Sequence, residues 1–254
     1  MSKPSISIIT AVFNGEKYIK ECLLSVLNQT YSDFEHIIID DNSSDNTVKI
    51  IKSLIKKDVR FKLLELKVNG GSGKARNLGI EKAIGKYITF IDGDDIWSLD
   101  RLRSHLNFME LNRVNFSHTS YSFIDQNSNE IKSPFIVRAK ELSYVDVLKR
   151  PEISCLTAMY NQEELGKMYM SNHRAKQDYA LWLSILKSGT KCYPFKQITG
   201  FYRQHSSSNT SSKISLIYPH ILFLKETQDF GIIKSIYYTL YWGLNGLIKY
   251  KIKK

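Results

Sequence analysis

Continuous apolar runs alternate with amphipathic stretches through the N-terminal part of the chain. Ser5-Ile-Ser-Ile-Ile-Thr-Ala-Val12, His36-Ile-Ile-Ile-Asp40, Phe61 to Leu66 and Tyr87-Ile-Thr-Phe-Ile91 predict four strands. The unbroken run Tyr87 to Ile91 is that of a strand covered on both faces. Between them, Lys17 to Asn28 carries Ile19, Leu23, Val26 and Leu27 at helical spacing, and a second helix runs from an Asp45 N-cap through about Lys56. Gly73 to Ala83 predicts a third. Strands alternating with helices imply a mostly parallel sheet joined by right-handed crossovers.

Beyond Asp95 the rhythm changes. A helix is expected from about Leu99 to Leu111, a strand from Phe116 to Ile124, a polar turn over Asp125-Gln-Asn-Ser-Asn129 and a helix over Lys176 to Ser188. Ser206-Ser-Ser-Asn-Thr-Ser-Ser212 is a low-complexity loop, and the edge of the globular domain is placed after it. The expected organisation is residues 1–212 as one domain, split into a nucleotide-binding half (1–97) and an acceptor-binding half (98–212), followed by a helical extension (213–254). In that extension no acidic residue occurs from Phe230 to Lys254. Lys234, Lys249, Lys251, Lys253 and Lys254 accompany Ile233, Ile236, Leu240, Leu244 and Leu247, with Tyr237, Tyr238, Tyr241 and Trp242 among them. That composition suits a helix lying in a membrane interface, and it also suits one packed on the domain.

Composition narrows the class. With 254 residues, 43% of them hydrophobic, the chain can bury a large core. Cys22, Cys155 and Cys192 are odd in number and lack metal-ligand spacing, which indicates a reducing compartment. The N-terminus lacks the regions of a secretory signal, and no stretch supplies about 20 uninterrupted apolar residues, so a cytoplasmic location is expected. A net charge of +11 suits nucleic acid, an anionic membrane or phosphate-bearing substrates.

The chemistry concentrates in Asp92-Gly93-Asp94-Asp95, directly after the fourth strand. Carboxylates crowded at the end of a buried strand repel one another, and they persist where a cation or cationic ligand joins them. Asp41 follows the second strand in the same way, so Asp41, Asp92 and Asp94 are expected along one sheet edge, where α/β proteins bind ligands. Asn69-Gly-Gly-Ser-Gly-Lys-Ala75 is not a P-loop, since Val68 and Ala75 stand where Gly and Ser or Thr are required. Its glycines nonetheless open a helix whose first turn carries Arg76, a suitable end for phosphate. Asp178 begins a helix with Leu181, Trp182 and Ile185 on its inner face; alone it reads as a carboxylate favoured by the helix dipole.

Taken together, Ile9-Thr-Ala-Val-Phe-Asn-Gly-Glu-Lys-Tyr-Ile19, Ile39-Asp-Asp-Asn-Ser-Ser-Asp-Asn-Thr47, Ala75-Arg-Asn-Leu-Gly79, Ile91-Asp-Gly-Asp-Asp-Ile-Trp97 and Gln177-Asp-Tyr-Ala-Leu-Trp182 resemble glycosyltransferase family 2. These are inverting nucleotide-sugar enzymes of the GT-A fold, a Rossmann-like, mostly parallel α/β sheet flanked by helices. Ser117-His-Thr-Ser-Tyr121 and Tyr202-Arg-Gln-His205 look like bacterial enzymes assembling O-antigen, capsule or teichuronic-type polysaccharides.

The resemblance implies a role for each matching position. Thr10, Ala11 and Val12 would line the base pocket with Asn14 and Gly93 nearby, Asp41 would accept from the uracil N–H, and Arg76 would approach the nucleotide. Asp92 would hold the ribose side and, with Asp94, form the family's DxD, Asp94 contacting a Mn²⁺ or Mg²⁺ that bridges both phosphates. Asp95 reads as a structural neighbour. Arg203 and His205 would close over the diphosphate, His205 also being a candidate metal ligand, and Asp178 would be the general base. Gln177 stands where the family usually has an acid, and Gly93 replaces a commoner Ser or Ala.

The implied reaction moves a hexose from a UDP-sugar, UDP-glucose or UDP-galactose, to a polyprenyl-diphosphate-linked saccharide at the cytoplasmic face of the inner membrane, forming a β-linkage. A nucleotidyltransferase also uses paired carboxylates on an α/β sheet, and a basic membrane- or nucleic-acid-binding module is the non-enzymatic alternative. No motif that reads RNA or DNA occurs, so no nucleic acid beyond the donor nucleotide is expected.

Overall fold

The structure is a computed structural model that describes residues 3–173, 175–204 and 217–251. In chain order the strands are β1 (Ile6–Val12), β2 (Phe34–Asp40), β3 (Phe61–Glu65), β4 (Tyr87–Phe90), β5 (Ile96–Trp97), β6 (Phe116–Ile124), β7 (Glu130–Phe135), β8 (Met159–Asn161) and β9 (Tyr193–Arg203). The helices are α1 (Ile19–Leu27), α2 (Thr47–Ile55), α3 (Ser72–Lys82), α4 (Arg101–Leu111), α5 (Tyr144–Lys149), α6 (Gln162–Leu165), α7 (Gln177–Lys187), α8 (Ile217–Gln228) and α9 (Ile232–Lys251), with a 3-10 turn at Cys155–Thr157.

One mixed sheet runs in the order β3-β2-β1-β4-β8-β6-β9-β5, with β7 beside β6. β1 to β4 are parallel, as the alternation of strands and helices requires. The second half departs from that pattern: β8 joins β4 and β6 antiparallel, β5 joins β9 antiparallel, and β6 runs parallel to β9. Successive side chains of β1 and β2 enter opposite layers of core. Ile9, Ile37 and Ile39 face α3 and α7, whereas Ile6, Ile8, Phe34 and Ile38 face α1 and α2. Two apolar layers explain why these strands lack a polar face.

Glycine sets how closely α3 approaches the sheet. A Cβ on Gly79 would lie 2.5 Å from Ile9 Cγ2 and 2.8 Å from Ile39 Cδ1, and one on Gly73 would lie 2.9 Å from Gln177 Cδ. α3 therefore touches both β1 and the start of α7. At α2 the N-cap is Asn46 and not Asp45. Asp45 accepts from the Thr47 N–H (3.0 Å) and, across the loop, from the Glu16 N–H (3.1 Å), so it stitches two loops together.

The C-terminal helices join the core. Phe223 and Leu224 of α8 are fully buried, and Phe223 stacks on Tyr179 of α7 at 5.3 Å between ring centroids. α9 is inverted in polarity. Its inner face carries buried Ser235 and Thr239, whose hydroxyls donate to the carbonyls of Gly231 and Ser235, while Ile232, Ile233, Ile236, Leu240 and Leu244 are exposed. Among the described residues no helix is long and apolar enough to cross a membrane.

Phe223→Ala should cost about 3–5 kcal/mol of unfolding free energy in urea titrations, the range for emptying a buried aromatic site. A loss under 1 kcal/mol would show that α8 does not contribute to the core as described.

Candidate active site

The C-terminal ends of β1 and β4 open into a cavity of about 520 Å³. Its walls are the loop after β1 (Ala11 to Gly15, with Lys17 and Tyr18), the acidic segment Asp92, Gly93 and Asp94, Arg76 from the first turns of α3, and Gln126 from the turn after β6. Two contacts tie that turn to the first wall: Lys17 Nζ donates to Gln126 Oε1 (3.4 Å) and Ser128 Oγ to Glu21 Oε2 (2.7 Å). Asn14 takes a left-handed backbone (φ 48°), and its Oδ1 accepts from the Ser44 N–H at 2.9 Å, which fixes the loop against its neighbour. Gly93 lies flush with the wall, because a Cβ there would come within 3.1 Å of Val12.

Two arginines compensate the acidic segment from different sides. Arg76, buried, donates through Nη2 to Asp92 Oδ1. Burial works against its charge, but the negative Asp92, with Cys155 and Asp178 nearby, outweighs that and raises its pKa. Arg203 lies behind the segment with its side chain fully buried. Its Nε donates to the Asp94 carbonyl (2.7 Å), Nη1 to the Asp125 carbonyl (2.9 Å) and Nη2 to Glu21 (2.6 Å), and its backbone N–H donates to Asp95 Oδ1 (2.9 Å). The expectation that Arg203 closes over a diphosphate is therefore corrected: its guanidinium is committed to protein partners outside the cavity wall. His205 lies outside the described residues.

Asp95 is buried, and burial, then the charges of Asp94 and Asp92, push its pKa well above the ordinary range. It serves as the inner support of the segment, in keeping with its structural reading. Cys22, also raised first by burial, contacts the Asp92 carbonyl at 3.4 Å and packs beneath the same segment.

Two further expectations change. Thr10 is fully buried and its hydroxyl meets His36 Nε2 at 2.8 Å inside the sheet, so it does not line the cavity as Ala11 and Val12 do. Burial holds His36 down at about 3, hence neutral. Asp41 is buried, and its two oxygens accept from the Gly70 N–H (2.7 Å) and the Gly71 N–H (2.8 Å). It anchors the glycine loop that positions α3 and Arg76. Phe13, Lys17, Tyr18 and Gln126 were not read as site residues. Half-exposed Phe13, beside Asn14 at the cavity, was the signal available for the first.

Asp178 sits in the first turn of α7, close enough to Arg76 and Asp92 to feel both charges. Its surface is partly open, yet the surrounding protein desolvates the carboxyl and raises its pKa; Arg76 and the Tyr179 N–H oppose this, and Asp92 adds to it. Lys176, in left-handed conformation (φ 58°) just before α7, places Nζ 2.8 Å from His220 Nδ1 and over the Trp242 ring at 4.3 Å. Burial brings that lysine down to about 8.

A divalent metal suits this donor set in one specific way. No group of three or more His, Cys, Asp or Glu side chains among the described residues forms a ready-made cage. Asp92 and Asp94 offer hard oxygens on one cavity wall, the arrangement for an ion completed by substrate phosphates and water.

Comparison with known proteins agrees with this architecture. Residues 7–168 match the model of Glycosyl transferase family 2. The chain is 38% identical over 253 residues to an uncharacterized glycosyltransferase of Haemophilus influenzae, covering 99% of this chain and all of that one. It is 33% identical over 256 residues to the UDP-Glc:alpha-D-GlcNAc-diphosphoundecaprenol beta-1,3-glucosyltransferase WfaP of Escherichia coli, covering 96% and 95%. The crystal structure of S. aureus TarS 1-349 in complex with UDP-GlcNAc superposes with a TM-score of 0.70 at 20% identity, over 91% of this chain and 69% of that one. The fold is thus the GT-A arrangement, and the chain belongs to glycosyltransferase family 2.

Proposed function

We propose that this glycosyltransferase moves a hexose from a UDP-sugar, UDP-glucose or UDP-galactose, to a lipid-diphosphate-linked saccharide with inversion, in the assembly of a bacterial surface polysaccharide. One observation carries the reading: Asp178, a desolvated carboxylate in the first turn of α7, lies within electrostatic range of the Arg76–Asp92 pair that lines the cavity. The name of WfaP, which specifies UDP-Glc and a diphosphoundecaprenol-linked sugar, supports the choice of donor and acceptor.

In this mechanism Ala11, Val12 and Asn14 line the nucleotide end of the cavity and Arg76 steadies Asp92 against the ribose. Asp94, with Asp92, would hold a Mn²⁺ or Mg²⁺, which when bound neutralises charge on the leaving diphosphate. Asp178 accepts the proton of the acceptor hydroxyl as that oxygen bonds to the anomeric carbon. The bond from that carbon to the UDP oxygen breaks on the opposite face, so an α-linked donor gives a β-linked product and UDP leaves. The raised pKa favours this role, because a base gains strength as its pKa approaches the working pH. The exposed apolar face of α9, with Lys234 at its start, is the surface proposed to rest on the inner membrane's cytoplasmic leaflet.

Three outcomes test this. Asp178→Asn should bind UDP like the parent and lose transfer by at least 100-fold in a UDP-release assay, the lower range for removing a general base; full transfer removes Asp178 from that role. The same variant should melt higher than the parent at neutral pH. A carboxyl raised above 3.8 in the fold stabilises fully below 3.8 and loses that contribution as pH rises through the folded value, so the difference should vanish in acid. EDTA should abolish UDP release in a screen of UDP-sugars with a lipid-diphosphate saccharide, and Mn²⁺ or Mg²⁺ should restore it; undiminished activity rejects the metal.

A further inference from the structure

Outside the cavity, one buried carboxylate holds two arginines. Glu152, its side chain 1% exposed, lies 3.0 Å from Arg138 Nε and 2.7 Å from Arg150 Nε. The three side chains together carry an excess positive charge of one. Both closest contacts are made through Nε and not through the terminal Nη pair, the edge that grips phosphate oxygens in a fork. The Arg138 and Arg150 side chains remain 43% and 29% exposed. Glu152 thus accepts a hydrogen bond from Arg138 through Oε2 and pairs by charge alone with Arg150, leaving one positive charge of the two uncompensated.

Their position gives them a use. Arg150 directly follows α5, whose last residue, Lys149, is bound to α9: the Lys149 carbonyl accepts from Asn245 Nδ2 at 3.0 Å, and its Nζ lies over the Tyr241 ring. α9 presents exposed Leu240 and Leu244 on this stretch, and Val145 of α5 is exposed as well. In the other direction the chain reaches Cys155, whose thiol feels the charges of Arg76, Asp92 and Asp178. The six residue steps from Lys149 to Cys155 can span at most about 20 Å. Arg150 therefore lies one residue from the α9 contact and five from Cys155, with Arg138 joined to it through Glu152.

We infer that Arg138 and Arg150, held by Glu152, form the binding site for the diphosphate of a lipid-linked acceptor. The inference rests on the proposed reaction. An acceptor of that class has its lipid at the membrane, its sugar at the base and its diphosphate between them, which is the order α9, Arg138/Arg150, Asp178. Fixed forks suit a diphosphate because they match its oxygens at little cost in side-chain ordering. An uncharged polyprenol or a free sugar would make no use of the pair.

The test uses the full chain and farnesyl diphosphate, titrated calorimetrically at saturating UDP and Mn²⁺ so that the donor cavity is filled. Removing both arginines alone would strand Glu152 as a buried charge, so the main variant combines Arg138→Gln, Arg150→Gln and Glu152→Gln; Arg138→Gln alone, at the more exposed position, is the second. The parent should bind one equivalent. The triple variant should bind at least tenfold more weakly and Arg138→Gln several-fold more weakly, with UDP affinity and binding to phosphatidylglycerol vesicles unchanged. Equal affinity in the folded variants, no binding by the parent, or an equal loss on phosphatidylglycerol vesicles overturns the inference, the last assigning the pair to bulk anionic lipid. Farnesyl diphosphate binding without any UDP-sugar transfer would overturn the proposed reaction and leave the diphosphate site standing. Transfer to a lipid-diphosphate saccharide with an unchanged acceptor KM in the variants would do the reverse.

Discussion

Everything at this edge of the sheet depends on keeping Asp92, Asp94, Asp95 and Asp178 together. Like charges at such separations raise one another's pKa and would be relieved by protonation or by moving apart. The fold answers from two directions. Arg76 meets Asp92 at the cavity surface, and Arg203 grips the backbone of Asp94 and the carboxylate of Asp95 from within. The division leaves each aspartate in a different state: Asp95 is pushed toward its neutral form, Asp92 is paired, and Asp178 is desolvated but still within reach of Arg76. Removing a buried arginine would leave uncompensated charge, which costs more than the ion pair itself contributes.

Positioning those arginines explains features that look unrelated. Arg76 is set by α3, α3 approaches the sheet only because Gly79 has no side chain against Ile9, and the loop before it is pinned by Asp41. Arg203 ends β9 and reaches into the turn after β6 and to Glu21 of α1. One guanidinium thus joins both halves of the chain behind the acidic segment. The two halves of the sheet cannot shift independently at that point.

The first half of the fold was legible because β1, β2 and β4 are covered on both faces, so burial wrote itself as apolar runs, and the half-exposed edge strand β3 was legible from its place in the alternation with helices. β8 has three residues and β5 two, too few for any periodicity, and the exposed Lys196 and Gln197 interrupt the pattern of β9. Asp92 and Asp94 were legible as a cluster at a strand end. Thr10, Asp41 and Arg203 were misplaced for a common reason: sequence gives a residue's place along a strand but not which partner claims its polar atoms. His36 took Thr10, two glycine amides hold Asp41, and four protein groups took the Arg203 guanidinium. Asp178 needed motif resemblance to stand out, since a carboxylate in the first turn of a helix is otherwise explained by the helix dipole.

The inverted polarity of α9 also has a thermodynamic side. Its inner face and α8 are continuous with the core through Tyr238 and Phe223, and Trp242 lies against His220 and under Lys176. Lys176 stands two residues before Asp178. A surface that binds only the docked form of α9 stabilises the whole domain by mass action. Occupancy of the outer face and integrity of α7, which carries Asp178, are therefore linked functions: whatever holds one favours the other.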